Sequence, residues 1–359
     1  MAKSPSVSVI IPFFNAEAYL NKCLKSLSDQ DIKEPFEVLM INDCSRDNSL
    51  KIIENFNTLN IKIFSLKKNS GPSVARNKGI EEANGEYVFF LDADDYISKE
   101  TLNTLFTKAK TKNLDLIFCD KKRIEGSLNK RENIYSYSSN IDFTETTIIE
   151  EIKRRVTDPN HLLGVIGCHG KLIKHSILLE NNIKFEERLR FMEDEIFMID
   201  ILGCSNKVSY IRKQLYINNI NQNVSSARSE AFNHAFPLSY FKIMSGHFKE
   251  SLVKKNCYKE EADSYEKQAL IFYIIYALIS YSLSIFKRKV NMKKGLEQRN
   301  KIFKEVINDI EITQAAKSYL ASKDESRWIP RAISYKSYFF LKFFCNLRTK
   351  QLIKKNLNN

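Results

Sequence analysis

A chain of 359 residues is long enough for two domains with a sizeable core and too long for a disulfide-stapled scaffold. With 43% hydrophobic and 28% charged side chains it has the composition of a soluble globular protein, which excludes wholesale disorder, collagen and coiled-coil repeats. The net charge of +13 is uneven: residues 1–229 hold 32 basic and 31 acidic side chains and residues 230–359 hold 24 and 12, so the excess belongs to the C-terminal third.

In chain order, Val7 to Phe14 (VSVIIPFF) is a β-branched run that reads as a strand. Ala16 to Leu27 follows, with Ala16, Leu20, Cys23, Leu24 and Leu27 at helical spacing. Phe36 to Ile41 is a second strand, Ser49 to Phe56 a helix and Ile61 to Leu66 a third strand. Ser73 to Ala83 is a further helix, and Tyr87 to Leu91 (YVFFL) a fully apolar strand that stops at Asp92-Ala93-Asp94-Asp95. Strand and helix alternate four times, which predicts βαβ units, right-handed crossovers and a largely parallel sheet whose ligands bind at the C-terminal strand ends. Beyond the acidic cluster come a helix at Thr101 to Thr111, a short strand at Asp115 to Cys119, a polar insertion from Glu125 to Thr147 and a helix near Ile148 to Val156. Residues 160–225 are mixed, and from about His234 the pattern turns helical and basic, with a boundary near 230.

Seven cysteines (Cys23, Cys44, Cys119, Cys168, Cys204, Cys257, Cys345) are scattered without a CxxC, so neither a zinc site nor a disulfide framework is expected and a reducing compartment fits. The opening MAKSPSVSVIIPFFN runs straight into a strand and lacks the apolar region and cleavage site of a signal peptide. Cytoplasmic residence is the expectation.

Asn42-Asp43 follows the second strand and Asp92 to Asp95 the fourth, so a parallel sheet brings both acidic groups to one edge. Carboxylates crowded there repel one another and lose solvation unless a cation or sugar hydroxyls satisfy them. Mg²⁺ or Mn²⁺, held by one or two carboxylates together with substrate phosphates, is the natural partner. The alternative is a solvated turn in which Asp94 or Asp95 caps the following helix. The first strand ends in PFFN rather than a Gly-rich loop, which disfavours a dinucleotide dehydrogenase or a P-loop NTPase.

VSVIIPFFNAEAYLNKCLKSL, EVLMINDCSRDNS and NSGPSVARNKGIEEANGEYVFFLDADD, in that order and spacing over residues 5–100, resemble the inverting family 2 glycosyltransferases of the bacterial surface-polysaccharide type. The resemblance implies a GT-A domain, an α/β fold with a Rossmann-like, mostly parallel sheet flanked by helices. It would occupy residues 1–230, with a nucleotide-sugar half at 1–100 and an acceptor half at 101–230, followed by a helical, basic region at 231–359. It further implies that Pro12, Phe13 and Asn15 shape the nucleotide pocket and that Asp43 accepts a hydrogen bond from the N3–H of a uracil. Arg76 would face the base or phosphates, Asp92-Ala93 would lie against the ribose, and Asp92 and Asp94 would hold the metal that bridges the diphosphate.

The stretch GCHGKLIKHSILLENNIKFEERLRFMEDEIFMIDIL resembles the family's acceptor-side segment, which places Glu193-Asp194 at its acidic pair. Hydroxyl attack on an anomeric carbon needs a general base, here Asp194 with Glu193 beside it, and confinement of three consecutive acids should raise at least one pKa. These acids also suit a helix N-terminus. LYINNINQNVSSAR resembles the family's closing element but has Ile217 and Asn218 where an aromatic and an arginine are frequent, which leaves Arg228 or Lys171 as substitutes for a phosphate clamp. His169 has either a ligand-contacting or a structural role.

The activity so implied is transfer of a hexose or N-acetylhexosamine from a UDP-sugar to a glycan hydroxyl, with inversion, in lipopolysaccharide, capsule or other surface-polysaccharide synthesis. The partners are then the nucleotide-sugar donor, a glycan or lipid-linked acceptor and an anionic membrane surface at the inner face of the cytoplasmic membrane. A catalytically silent sugar-nucleotide or glycan-binding module stays open as an alternative, as does a nucleic-acid binder using the basic tail. From Arg327 to Lys355 eight Lys/Arg and no acids interleave with seven aromatics, the composition of an interfacial helix on anionic lipid or of a docked terminal helix. No nucleic-acid module is present, so the membrane fits better. Gln268 to Phe286 has no charge over 19 residues, and reads as a buried bundle helix or as a membrane span.

Overall fold

The β-branched run at the N-terminus forms β1 (Val7–Phe13), paired in parallel with β2 (Phe36–Asn42) on one side and β4 (Tyr87–Phe90) on the other; β2 in turn pairs with β3 (Ile61–Ser65). A strand flanked on both sides and covered on both faces has no wet side, which explains the unbroken apolar reading of β1 and β4. The computed structural model describes residues 4–125, 128–130, 137–158, 167–189, 192–220, 237–286, 292–322 and 325–357. It divides into two units, the first comprising Met1–Ile149, Leu162–Glu187 and Met192–Asn223, the second Glu150–His161, Arg188–Phe191 and Val224–Asn359.

In the first unit α1 (Leu20–Ser28), α2 (Ser49–Glu54) and α3 (Pro72–Glu82) are the crossovers between the parallel strands. The helical spacing places the start of α1 at Ala16, yet the helix begins at Leu20. Ala16 is buried as part of a turn, and the amides of Asn15, Ala16 and Glu17 are taken by Ser45 Oγ, Ser49 Oγ and Asp47 Oδ2 at 2.9–3.0 Å. The first strand–helix turn is thereby tied to the second.

β5 (Tyr96–Ile97) and α4 (Thr101–Lys112) follow the acidic cluster, and the residue capping α4 is Glu100, so neither Asp94 nor Asp95 serves as its cap. β6 (Leu116–Glu125) is twice the length that its apolar residues predict. It pairs in parallel with β10 (Val208–Ile220) along its whole length, so partner strands supply what its polar second half lacks in hydrophobicity. β7 (Leu128–Lys130) and β8 (Ile141–Phe143) fall in the predicted polar insertion and pair with β6 and β10. α5 (Glu145–Thr157) comes next, then β9 (Lys171–Lys174), antiparallel to both β4 and β6, with α6 (His175–Glu180) and α7 (Glu193–Cys204) before β10. The order across the sheet is β3-β2-β1-β4-β9-β6-β10-β5. This is a mixed α/β sheet: its nucleotide-side half is parallel as expected, and β9 is the reversed strand in the middle.

The second unit is helical: α8 (Leu238–Lys254), α9 (Lys259–Phe286), α10 (Met292–Asn308), α11 (Ile310–Lys317), α12 (Trp328–Ser334) and α13 (Tyr338–Leu357). α9 is its axis and packs against α8, α10, α11 and α13. Ala269 to Ile275 are all buried, and 78% of the apolar window of this helix lies inside the protein. Length and composition alone would let α9 cross a bilayer; its packing explains the apolar run as a core helix. Ion pairs brace the unit, Lys249 to Asp263 and Glu266 at 2.7 and 3.0 Å, and Lys242 to Asp309 and Glu311 at 2.9 and 2.7 Å.

Candidate active site

Parallel pairing of β2, β1 and β4 brings the ends of all three strands to one edge of the sheet, and with them Asp43 and the Asp92–Asp95 turn. Asp43 is buried, and both carboxylate oxygens are already engaged: Oδ1 accepts from Ser70 N at 2.7 Å and Oδ2 from Gly71 N at 2.8 Å. Gly71 has φ +93°, a conformation that a side chain would strain. Asp43 therefore shapes the loop that leads into α3, and each oxygen retains a lone pair for a ligand. Its own amide donates to Phe13 O at 2.9 Å.

Pro12, Phe13 and Asn15 lie at the end of β1 and in its turn. Phe13, placed beside the nucleotide by the resemblance, is only 3% exposed and packs with Ala16, Leu20 and Leu24 in the core, so only its backbone faces the strand ends. Ala93 is likewise buried and offers backbone alone. Asn15 adopts φ +49° and accepts from Arg46 N through Oδ1 at 2.9 Å, locking the first and second turns together.

Arg76, on α3, is paired with acids of the site. Its side chain is 6% exposed; Nη2 donates to Asp92 Oδ1 at 3.1 Å and Nη1 lies 3.6 Å from Glu193 Oε1. Phe185 lies under the guanidinium, 5.3 Å from its carbon to the ring centroid. Burial disfavours the charge, but Asp92, Glu193 and Asp194 hold it firmly protonated. Arg76 Nε and Nη1 have no hydrogen-bond partner among the described residues. The residue is thus a strut between the acid after β4 and the acid that opens α7.

Asp92 is held from two sides, by Arg76 and by His169 Nε2, 2.8 Å from Oδ2. Burial opposes ionisation of Asp92, and the two cations overcome it and hold its carboxyl well below the usual range. Reciprocally, burial works against charge on His169 while Asp92 raises its pKa to about 10, so the imidazole is a cation at neutral pH. Asp95 is buried and fully clamped: Tyr216 Oη donates at 2.6 Å, Asn218 Nδ2 at 3.0 and 3.1 Å and Asn219 N at 2.8 Å. Asn218, conspicuous in the sequence for not being arginine, does its work on Asp95, while Ile217 is buried in the β10–β5 pairing.

Asp94 has no side-chain partner among the described residues, and burial with Asp92 and Asp95 nearby pushes its pKa up to about 7. Oxygens of Asp92, Asp94 and Asp95 lie within 4.8 Å of one another. Three hard oxygen donors, one of them held partly protonated by its neighbours' charge, fit a divalent cation such as Mg²⁺ or Mn²⁺.

Glu193 and Asp194 begin α7, after Met192 at φ +62°. Burial and the neighbouring Asp194 raise the pKa of Glu193, so the expected upward shift falls on the member of the pair that faces Arg76. Asp194 points to Gly167: a Cβ there would stand 3.2 Å from Asp194 Oδ2 and 3.6 Å from both His169 Nδ1 and Lys121 Nζ. At φ +82° that position strains any other residue, and its bare backbone leaves the carboxylate, imidazole and ammonium close to one another. Lys171 is fully buried, with Nζ donating to His169 O at 3.3 Å and burial depressing its pKa, so it does not open onto the strand ends. Arg228 lies outside the described residues.

The structure thus brings Asp43, Arg76, Asp92, Asp94, Glu193 and Asp194 to one end of one sheet and adds His169, Tyr216, Asn218, Lys121 and Gly167. The signal for His169 was its place in CHGKL; Tyr216 and Lys121 come from strands whose pairing the sequence does not display.

Residues 8–179 match the family described as glycosyl transferase family 2. The match covers just under half of the 359 residues and lies in the part of the chain that holds the strand-end acids Asp43 and Asp92–Asp95. Over 122 residues it is 42% identical to a poly(ribitol-phosphate) beta-N-acetylglucosaminyltransferase, TarS, of Staphylococcus aureus, a match covering 33% of this chain and 21% of that protein. Over 113 residues it is 43% identical to a cholesterol galactosyltransferase of Borreliella burgdorferi, covering 31% of each. The chain therefore spans only about a fifth to a third of the length of these relatives. A crystal structure of S. aureus TarS 1-349 in complex with UDP-GlcNAc superposes with TM-score 0.70 at 22% identity, covering 98% of this chain and 92% of that one. That likeness establishes the fold, the GT-A sheet with helices after it.

Proposed function

We propose that the protein is an inverting glycosyltransferase that moves a hexose or N-acetylhexosamine from a UDP-sugar to a hydroxyl of a glycan of the bacterial surface, free or lipid-linked. The observation that carries this reading is the meeting, at one end of the sheet, of two acidic sets with different tasks. Asp92, Asp94 and Asp95 form a cation-ready cluster after β4, and Asp194 stands apart from it, beside Gly167, His169 and Lys121. The relatives, an N-acetylglucosaminyltransferase and a galactosyltransferase, support the substrate class.

In this reading Asp194 accepts the proton of the acceptor hydroxyl, and the oxygen attacks the anomeric carbon from the face opposite the departing UDP, so one displacement inverts the configuration. Asp92 and Asp94 would hold a divalent cation, whose chemistry is to offset the charge that builds on the diphosphate. Arg76 bridges Asp92 and Glu193 and helps to keep Asp92 ionised, and Asp95 with Tyr216 and Asn218 sets the turn on which Asp94 sits. Asp43 organises the Ser70–Gly71 loop, where the spare lone pairs on its oxygens suit a uracil N–H.

Incubation with UDP-hexoses and UDP-N-acetylhexosamines in the presence of Mn²⁺, with product mass and anomeric configuration read out, tests the proposal. Turnover to a β-linked product from an α-linked donor is expected. Retained configuration overturns the single-displacement mechanism, whereas UDP affinity without any turnover points to a silent binding module. Absence of UDP affinity leaves the basic tail and its nucleic-acid reading to be tested.

A further inference from the structure

We propose that the outer face of α12 and α13 is a docking surface for an anionic lipid bilayer. In α13, Leu341, Cys345 and Thr349 are fully buried, a four-residue repeat that turns one side of the helix into the second unit. Phe339, Phe343 and Leu347 stand two positions from these and are 71%, 51% and 43% exposed. A step of two residues is a rotation of about 200°, so they occupy the opposite side. Phe340, Trp328 and Tyr335, all more than half exposed, widen the patch. Five rings form one connected group: Phe339 meets Phe340 edge-on at 5.7 Å, Phe340 stacks on Phe344 at 6.1 Å, Phe343 meets Phe344 edge-on at 5.3 Å and Phe344 stacks on Trp328 at 5.6 Å. Isolated exposed aromatics are common on soluble proteins; a contiguous set marks a contact surface.

Charge selects the partner. Lys336, Lys350 and Lys354 are exposed at the two ends of the aromatic stripe, and the Arg331 guanidinium lies 5.1 Å over Trp328. From Arg327 to the last residue there are eight Lys/Arg and no Asp or Glu. A second copy of this chain would set like charges against each other, which is unfavourable. An anionic bilayer supplies the opposite charge together with the interfacial zone in which aromatic rings settle. The long apolar α9 faces inward, so contact with the bilayer is peripheral and rests on this face. The chain breaks at Lys336, φ +54°, before α13, on which Phe339, Phe340 and Phe343 are exposed while Tyr338 and Phe344 are half-buried.

The test is sedimentation of the full chain with vesicles of phosphatidylglycerol and phosphatidylcholine, and with phosphatidylcholine alone. Its readout is binding only, so failure is distinguishable from failure of the proposed activity. The native protein is expected to bind the anionic vesicles and not the neutral ones. Phe339→Ser/Phe340→Ser/Phe343→Ser should weaken partitioning at least about tenfold at every salt concentration, since the apolar contribution is not screened. Lys336→Gln/Lys350→Gln/Lys354→Gln should weaken it about 10²-fold at low salt, with the difference shrinking as salt rises. If the first variant melts early, the second decides. No binding by the native protein, equal binding to both vesicle types or full binding by both variants overturns the proposal. A concentration-dependent dimer that the aromatic variant abolishes, without vesicle binding, assigns the face to a second copy instead.

Discussion

Asp194 and Glu193 are adjacent in the chain and alike in chemistry, yet the structure gives them different surroundings. Glu193 is turned to Arg76, and Asp194 to the open backbone of Gly167. Asp194→Asn should therefore lower kcat by about 10²–10⁴-fold, the scale of general-base catalysis, with the KM for the UDP-sugar nearly unchanged. A parallel loss of UDP affinity, read by calorimetry, would move Asp194 to the donor side. Arg76 answers to a different measurement. Replacing it by Met leaves Asp92 and Glu193 without a shared cation at a largely buried site, for which a loss of about 3–5 kcal/mol in unfolding free energy is expected. Mn²⁺ should restore part of it through the Asp92 cluster. A urea midpoint equal to that of the native protein would show that the strut carries no stability.

The elements around these residues are set by close approaches rather than by propensity. Arg76 and Gly79 share a face of α3, and a Cβ on Gly79 would stand 2.3 Å from Ile10 Cγ2 in β1. The helix lies as near to the sheet as it does because that position carries no side chain. Gly79→Ala should destabilise by about 1–3 kcal/mol through overpacking. It should also lower activity by lifting Arg76 away from Asp92. Ile10→Ala added to Gly79→Ala should recover part of the stability; additive losses in denaturant titrations would place the clash elsewhere. The same scale shows why half the site was legible. Asp43 and Asp92 to Asp95 end apolar strands in a βαβ rhythm, and parallel pairing brings such ends together. His169 arrives just before β9, bridged to Phe90, and Tyr216 on β10; the neighbours of both strands are set by long-range pairing, and the polar second half of β6 carries no strand pattern at all.

At the scale of the molecule the acidic cluster couples stability to pH and to metal. The pKa of Asp94 is raised from the usual 3.8 to about 7, so between those values the folded protein holds a proton that the unfolded chain releases. Its contribution to stability is present below about pH 4 and is lost as pH rises to about 7. A divalent cation competes with that proton. In scanning calorimetry without metal, the Tm of the native protein relative to Asp94→Asn should fall across this interval, and Mn²⁺ should reverse the trend near neutral pH. A difference that is flat with pH would mean that Asp94 does not feel its neighbours. Metal-dependent UDP affinity should rise with pH up to about 7 and then level off, and EDTA should abolish transfer.

The sequence by itself determined the alternation of strand and helix, the family, the acidic turns at the strand ends and the separation of a near-neutral first part from a basic helical second part. Each of these is local, a matter of periodicity, β-branching or charge count within a few tens of residues. Only the tertiary structure decided which members of the acidic runs are spoken for. Asp95 is bound by Tyr216, Asn218 and Asn219, Asp92 by Arg76 and His169, and Asp94 has no side-chain partner among the described residues. It likewise turned Phe13 and Ala93 into the core and α9 to the centre of its unit, and it split the C-terminal aromatics into a docked side and an exposed one. The physical reason is common to all of them. Desolvation and pairing depend on what stands opposite a side chain, and the opposite partner comes from a distant part of the chain.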